Sequence, residues 1–117
     1  MDNNHREFFR VRFSNPIEGE LEILGKDPFQ VVIHDVSVKG LRFSSEVDLP
    51  MNKKLVCSFA LLGIAFKVKG SIVRKSPERQ GIDYGVMLNL DPDVFTELFK
   101  QLNYYQIRKR KGTLEEA

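Results

Sequence analysis

Cysteine is nearly missing from this sequence. The one thiol, Cys57, sits inside an apolar run, so the chain can form neither a disulfide framework nor a cysteine-based metal cluster, which fits a reducing compartment. Tryptophan is absent and histidine occurs only at positions 5 and 34. Neither histidine has an evident partner for metal binding or for activating a nucleophile, so no metal site and no enzyme activity are expected. No apolar stretch approaches the ~18 residues of a membrane span, and the polar N-terminus is no secretory signal. A large charge of one sign is lacking too. The 18 Lys and Arg against 16 Asp and Glu leave a net charge of +2, too little to argue nucleic-acid binding from the whole chain. A cytoplasmic, non-catalytic protein is the expectation, and 117 residues suit one domain with a real core.

What the sequence does have is alternation. Phe9, Val11 and Phe13 share one face of a short strand, with Arg10 and Arg12 on the other. Asn15-Pro16 is expected to break that strand. A second stretch, 17–24, sets Ile17, Leu21 and Ile23 against an acidic outer face of Glu18, Glu20 and Glu22. Further strands are read at 29–36, 41–44, 54–61, 64–74 and 82–90, with turns at Gly25-Lys26-Asp27-Pro28 and Gly63 and an exposed loop over 76–81. In 29–36 both faces are apolar, so periodicity does not choose the inward one, and His34 reads as partly packed. Gly70 falls on the inner face of its strand, as a bend or bulge requires. The period then changes to helical. Asp91 and Pro92 open a helix, Phe95, Leu98, Phe99, Leu102 and Tyr105 or Gln106 line its apolar stripe, and Arg108-Lys109-Arg110-Lys111-Gly112 closes it. Short strands at this spacing, followed by one helix, imply a mainly β fold: a small barrel or sandwich covered by the helix.

Two segments carry candidate chemistry. Arg6 and Arg10, four residues apart, share a face whether the segment is extended or helical. Paired guanidinium forks suit a phosphate or the acceptor edge of guanine, and Phe8 could add a stacking surface beside them. Bare residues allow equally a solvated edge strand guarded by arginine. The second segment is Asp35-Val36-Ser37-Val38-Lys39-Gly40. If the strand continues through it, Asp35 and Ser37 face one side and present a carboxylate acceptor beside a hydroxyl, and Gly40 permits a turn or close approach. Taken alone, this string also fits an ordinary turn.

Together and in order, the two segments resemble the PilZ domain, whose pattern is R-x-x-x-R followed by [D/N]-x-S-x-x-G. The resemblance covers nearly the whole chain, and Tyr84-Gly85-Val86-Met87-Leu88 is similar to the family's G-[VI]-x-F strand, with Leu88 in place of phenylalanine. The run from Arg6 to Arg12 and the basic final helix look most like the C-terminal domain of YcgR-type flagellar brake proteins. Two features depart from these: His5 stands where a further arginine is common, and Met1 lies five residues before Arg6. The chain is therefore expected to be a stand-alone PilZ protein or a piece without the preceding barrel.

The resemblance implies a small six-stranded antiparallel β-barrel with a C-terminal α-helix. Residues 1–5 would be a flexible N-terminus, 6–111 one PilZ domain (barrel about 9–90, helix about 92–111), and 112–117 a polar tail. It also implies a bacterial receptor for the second messenger cyclic di-GMP, bound by Arg6, Arg10, Asp35, Ser37 and Gly40, with Arg12 as a secondary contact and with no cofactor. Binding would order the N-terminal segment and alter an interaction with a protein effector, such as the flagellar motor or polysaccharide synthesis machinery, in motility, exopolysaccharide or biofilm control. The chain would act as a monomer or homodimer. Two alternatives stand beside this: a degenerate PilZ-like interaction module that no longer binds nucleotide, and a nucleic-acid binder using Arg108–Lys111 with Lys67 and Lys69. The latter cations serve equally as a dipole complement and a solvated face.

Overall fold

The structure, a computed structural model, describes residues 10–112. The expected flexible segment 1–5, the candidate Arg6, the aromatic Phe8 and Phe9, and tail residues 113–117 lie outside the described residues. Six strands run in chain order as β1 (Val11–Glu22), β2 (Phe29–Val36), β3 (Gly40–Ser45), β4 (Lys54–Leu61), β5 (Ile64–Glu78) and β6 (Gly81–Leu88). All pair antiparallel, and the order β1-β2-β3-β6-β5-β4 closes on itself as a barrel, with β4 returning to β1. Closure pairs every strand with two neighbours, although the early part of β1 and the late part of β5 each pair on one side only. One helix, α1 (Pro92–Lys111), follows.

Alternation explains most of the core. Val11, Phe13, Leu21, Ile23, Val31, Ile33, Leu41, Phe43, Leu55, Cys57, Phe59, Phe66, Val68, Ile72, Tyr84 and Val86 are all buried, each with a polar or exposed neighbour on the other pleat face. Phe43 stacks on Tyr84 at 4.9 Å between ring centroids. The Tyr84 hydroxyl donates to the Val47 carbonyl at 2.7 Å and accepts from the Leu49 amide at 2.8 Å, pinning the β3–β4 loop. Helix α1 packs through Leu98, Leu102 and Tyr105, with Tyr105 edge-on to Phe13 at 5.4 Å. Lys109 in its last turn donates to the Arg12 carbonyl at 2.8 Å. Gly112 ends the helix in the left-handed region, φ 73°. Asp91 stands at the N-cap, but its side chain makes no capping hydrogen bond; its carbonyl accepts from Phe95 instead.

Three departures from the sequence expectations matter. Asn15-Pro16 does not end a strand: β1 continues through it, and the disturbance appears as a register shift against β2 between Arg12 and Ile17. Proline has no N–H for the ladder, so pairing skips while the strand runs on. The stretch expected as a loop over 76–81 is largely strand, since β5 extends to Glu78 and pairs back to Gly81. At Gly70 the ladder is regular. A Cβ there would stand 2.5 Å from the Met87 carbonyl oxygen, so the glycine serves close strand approach, and the bulge in β5 falls later, between Ile72 and Arg74.

Candidate functional site

Strand β2 carries the key change of face. Val31 and Ile33 point inward, and strict alternation would send Asp35 into the core after them. Instead the ladder with β3 shifts between Ile33 and Asp35: Ile33 pairs with Phe43, and Asp35 with Arg42. His34 is the extra residue of this bulge, half-buried, with Nε2 2.6 Å from the Ser44 hydroxyl. One additional residue resets the parity, so Asp35 joins the outer face while Val36 takes the core. The bulge in β5 does the same for Arg74, which pairs with Gly85 although it shares sequence parity with buried Ile72. Together with the shift in β1, these irregularities align one row across five strands: Arg12, Asp35, Arg42, Gly85 and Arg74.

Charge runs along this row as alternating links. Asp35, 3% exposed, accepts from Arg10 Nη1 on Oδ1 at 2.5 Å and from Arg42 Nε on Oδ2 at 2.9 Å. Arg42 also donates to Asp83 Oδ1 at 3.0 Å, and Arg74 donates to Asp83 Oδ2 at 3.0 Å. The hydrogen bond from Arg42 to the Asp35 carboxylate holds the guanidinium's pKa above its ordinary value; burial opposes this and the Asp83 charge assists it. Among the described residues, four arginines against two carboxylates leave an excess of two positive charges on one face. An open cavity of about 530 Å³ lies over it, lined by Arg10, Arg12, Asp35, Arg42, Arg74 and Gly85 among others. Volume does not distinguish this cavity, because three other surface clefts measure 550 to 570 Å³; its charge does.

The turn after β2 supplies the other motif positions. The strand ends at Val36, so Ser37 does not share a strand face with Asp35. Its hydroxyl is buried and accepts from the amides of Lys39 at 3.1 Å and Gly40 at 3.0 Å, while its own amide donates to the Gly40 carbonyl at 2.8 Å. Ser37 therefore shapes the turn. Gly40 faces the Arg10 guanidinium: a Cβ there would lie 3.0 Å from Nη2 and 3.2 Å from the Val86 carbonyl oxygen. Lack of a side chain lets Arg10 lie against the turn. Arg12 is exposed on the outer face beside them.

The structure thus brings the candidates Arg10, Arg12, Asp35 and Gly40 together, with Ser37 in the adjoining turn, and sets beside them Arg42, Arg74 and Asp83, which the two motifs do not include. Arg42 had a signal, as it alternates with buried Leu41 and Phe43; so had Asp83, alternating with Tyr84. Arg74 had none, because its face depends on the bulge. Elsewhere, Cys57 offers little chemistry: burial pushes its thiol up to about 12. Among the described residues no helix is long and apolar enough to cross a membrane.

The fold is similar to Escherichia coli YcgR solved in complex with c-di-GMP, at 14% identity and TM-score 0.76 over 92% of this chain and 48% of that one. It is similar to the Bacillus subtilis inhibitor of motility MotI/DgrA, at 10% identity and TM-score 0.70 over 94% and 54%. It is also similar to the c-di-GMP-bound PilZ domain of Escherichia coli YcgR, at 12% identity and TM-score 0.65 over 93% and 98%. This chain therefore spans about half the length of the first two and nearly all of the isolated domain. No curated protein matches in sequence. Residues 4–103 match the sequence model of the PilZ domain, and on that match, over most of its length, the chain belongs to the PilZ domain family.

Proposed function

We propose that this chain binds cyclic di-GMP on the outer face built by β1, β2 and β3, through Arg6, Arg10, Asp35, Ser37 and Gly40, with Arg12 as a secondary contact. The observation that carries the reading is the Arg10–Asp35 pair: two motifs 25 residues apart meet in one ion pair at the edge of a cavity with excess positive charge. The ligand's two phosphates match that excess. Arginine forks suit phosphate and guanine O6/N7. Each Asp35 oxygen keeps a lone pair to accept from guanine N–H groups while holding its arginine. Ser37 and Gly40 act by shaping the turn against which Arg10 rests. Solved relatives carry c-di-GMP in two cases. Binding rather than catalysis is the activity, and the cytoplasm is its place.

The relay follows from the same pair. Asp35 already holds Arg10, so the ligand has one arginine in position and recruits the other, drawing the Arg6 segment onto the barrel. A protein effector, in the flagellar motor or the polysaccharide synthesis machinery, then reads the ordered segment. Calorimetric titration with cyclic di-GMP, with GMP and cyclic di-AMP as controls, tests the reading. Saturable binding is expected, lost in Arg10→Ala and Asp35→Ala. No heat and no thermal stabilisation at about 100-fold excess over micromolar ligand would sink it, and leave an interaction module without nucleotide. Protease cleavage before Arg10 should slow when ligand is saturating; equal rates would remove the relay and keep the binding.

A further inference from the structure

Asp83 is a carboxylate that the two motifs leave unexplained. It is 6% exposed and gives one oxygen to each of two arginines. Burial of a carboxylate is unfavourable unless it is paired on both sides. Its partners nevertheless keep their far ends open: the side chains of Arg42 and Arg74 are 36% and 50% exposed. Gly85 clears the ground beneath them, since a Cβ there would stand 3.1 Å from both Cβ and Nε of Arg74. The bulge between Ile72 and Arg74 sets Arg74 opposite that glycine. A buried anion, a missing side chain and a bulge all act on one half-exposed guanidinium.

We propose that Arg74 is a further phosphate-contacting residue of the site, and that Asp83 and Gly85 are positioning residues that hold Arg74 and Arg42 in the row. This rests on the cyclic di-GMP reading above. From Arg12 to Arg74 the row crosses four strand steps, about 19 Å along the sheet at ordinary strand spacing. The ligand's two phosphates share one small ring and do not bridge that span themselves; the long arginine side chains that line the cavity reach in from its two sides, Arg10 toward one phosphate and Arg74 toward the other, whereas a mononucleotide offers a single phosphate.

The test is titration of the full chain with cyclic di-GMP over a range of salt. Arg74→Ala should weaken binding about tenfold or more and flatten its salt dependence; it should also lower the melting temperature modestly, because Asp83 keeps only Arg42, so binding is read where both proteins are folded. Asp83→Asn separates positioning from bulk attraction. It adds one positive charge to the face, so attraction alone would tighten binding, whereas loss of position weakens it. Gly85→Ala keeps every charge and displaces Arg74; it should weaken binding in the wild-type background and add nothing in Arg74→Ala. This variant decides the matter if Asp83→Asn fails to fold. If wild type binds and Arg10→Ala does not, yet Arg74→Ala stays within about twofold, the inference falls and the binding site stands. Tighter binding by Asp83→Asn, or additive losses in the Gly85/Arg74 pair, overturns it equally. No binding by wild type removes both.

Discussion

The β4–β5 hairpin and the β2–β3 pair belong to one barrel and follow different rules. The hairpin keeps a single register through eight pairs, from Lys54 with Ser71 to Leu61 with Ile64. Its turn residues Leu62 and Gly63 both have positive φ, 51° and 81°, as a two-residue turn matched to strand twist requires. Residues there alternate cleanly between core and solvent. The β2–β3 pair slips by one residue at His34, and the slip places a buried carboxylate outside the core. A regular ladder makes a wall, and the irregular one aligns the charged row. Bulges in β1, β2 and β5 all fall beside the charged row, so the charged face is where the sheet departs from alternation.

Deleting one residue from each region should give opposite results. Removal of Ser58 turns Phe59 and Leu61 from core to solvent. At about 1.5–3 kcal/mol for each large apolar side chain, roughly 3–6 kcal/mol is lost, and thermal melting should show an unfolded or barely folded chain. Removal of His34 merely regularises the ladder: Ile33 stays inward, Asp35 outward and Val36 inward. That variant should melt cooperatively near wild type and retain weakened ligand binding. A collapsed His34 deletion beside a stable Ser58 deletion would reverse the account of the two regions.

Arg42→Ala is expected to cost less than the Ser58 deletion. It strips one partner from each of Asp35 and Asp83, both nearly buried. Losing a charge-assisted bond at each carboxylate costs about 2 kcal/mol in total once the guanidinium's partial exposure is allowed for. Cyclic di-GMP affinity should fall with it, because Asp35 keeps only Arg10. Denaturant unfolding and calorimetry read the two effects separately. Full stability would mean the alternating chain contributes nothing to the barrel.

The same contrast explains what the sequence disclosed. The bounds of the strands at 29–36 and 54–61 and the start of the helix at Pro92 were legible from apolar runs set between turn residues; spacing also disclosed the buried face at 54–61, but not at 29–36, where both faces are apolar. The two motifs were legible through their resemblance to a family, and the structure shows that Arg10 and Asp35 meet. The faces of Asp35 and Arg74 were hidden. Periodicity assumes that every residue advances the pleat by one step, and a bulge breaks that assumption without any required residue type in β2 or β5. A strand continuing past Val36 would set the Ser37 hydroxyl beside Asp35; the strand ends at Val36, and the hydroxyl accepts from the amides of the turn.

The smallest expected effect concerns the outward cations of the regular hairpin. Lys67 and Lys69 are exposed on β5, before the bulge that brings Arg74 into the charged row. They add to the overall positive charge but have no place in the row. If the site works by geometry, the double variant Lys67→Ala/Lys69→Ala should bind cyclic di-GMP within about twofold of wild type, although it removes twice the charge that Arg74→Ala removes. If general positive charge draws the ligand, the double variant should be the weaker binder at low salt and the difference should vanish at high salt. Titrations of both variants at two salt concentrations separate a built face from a diffuse attraction.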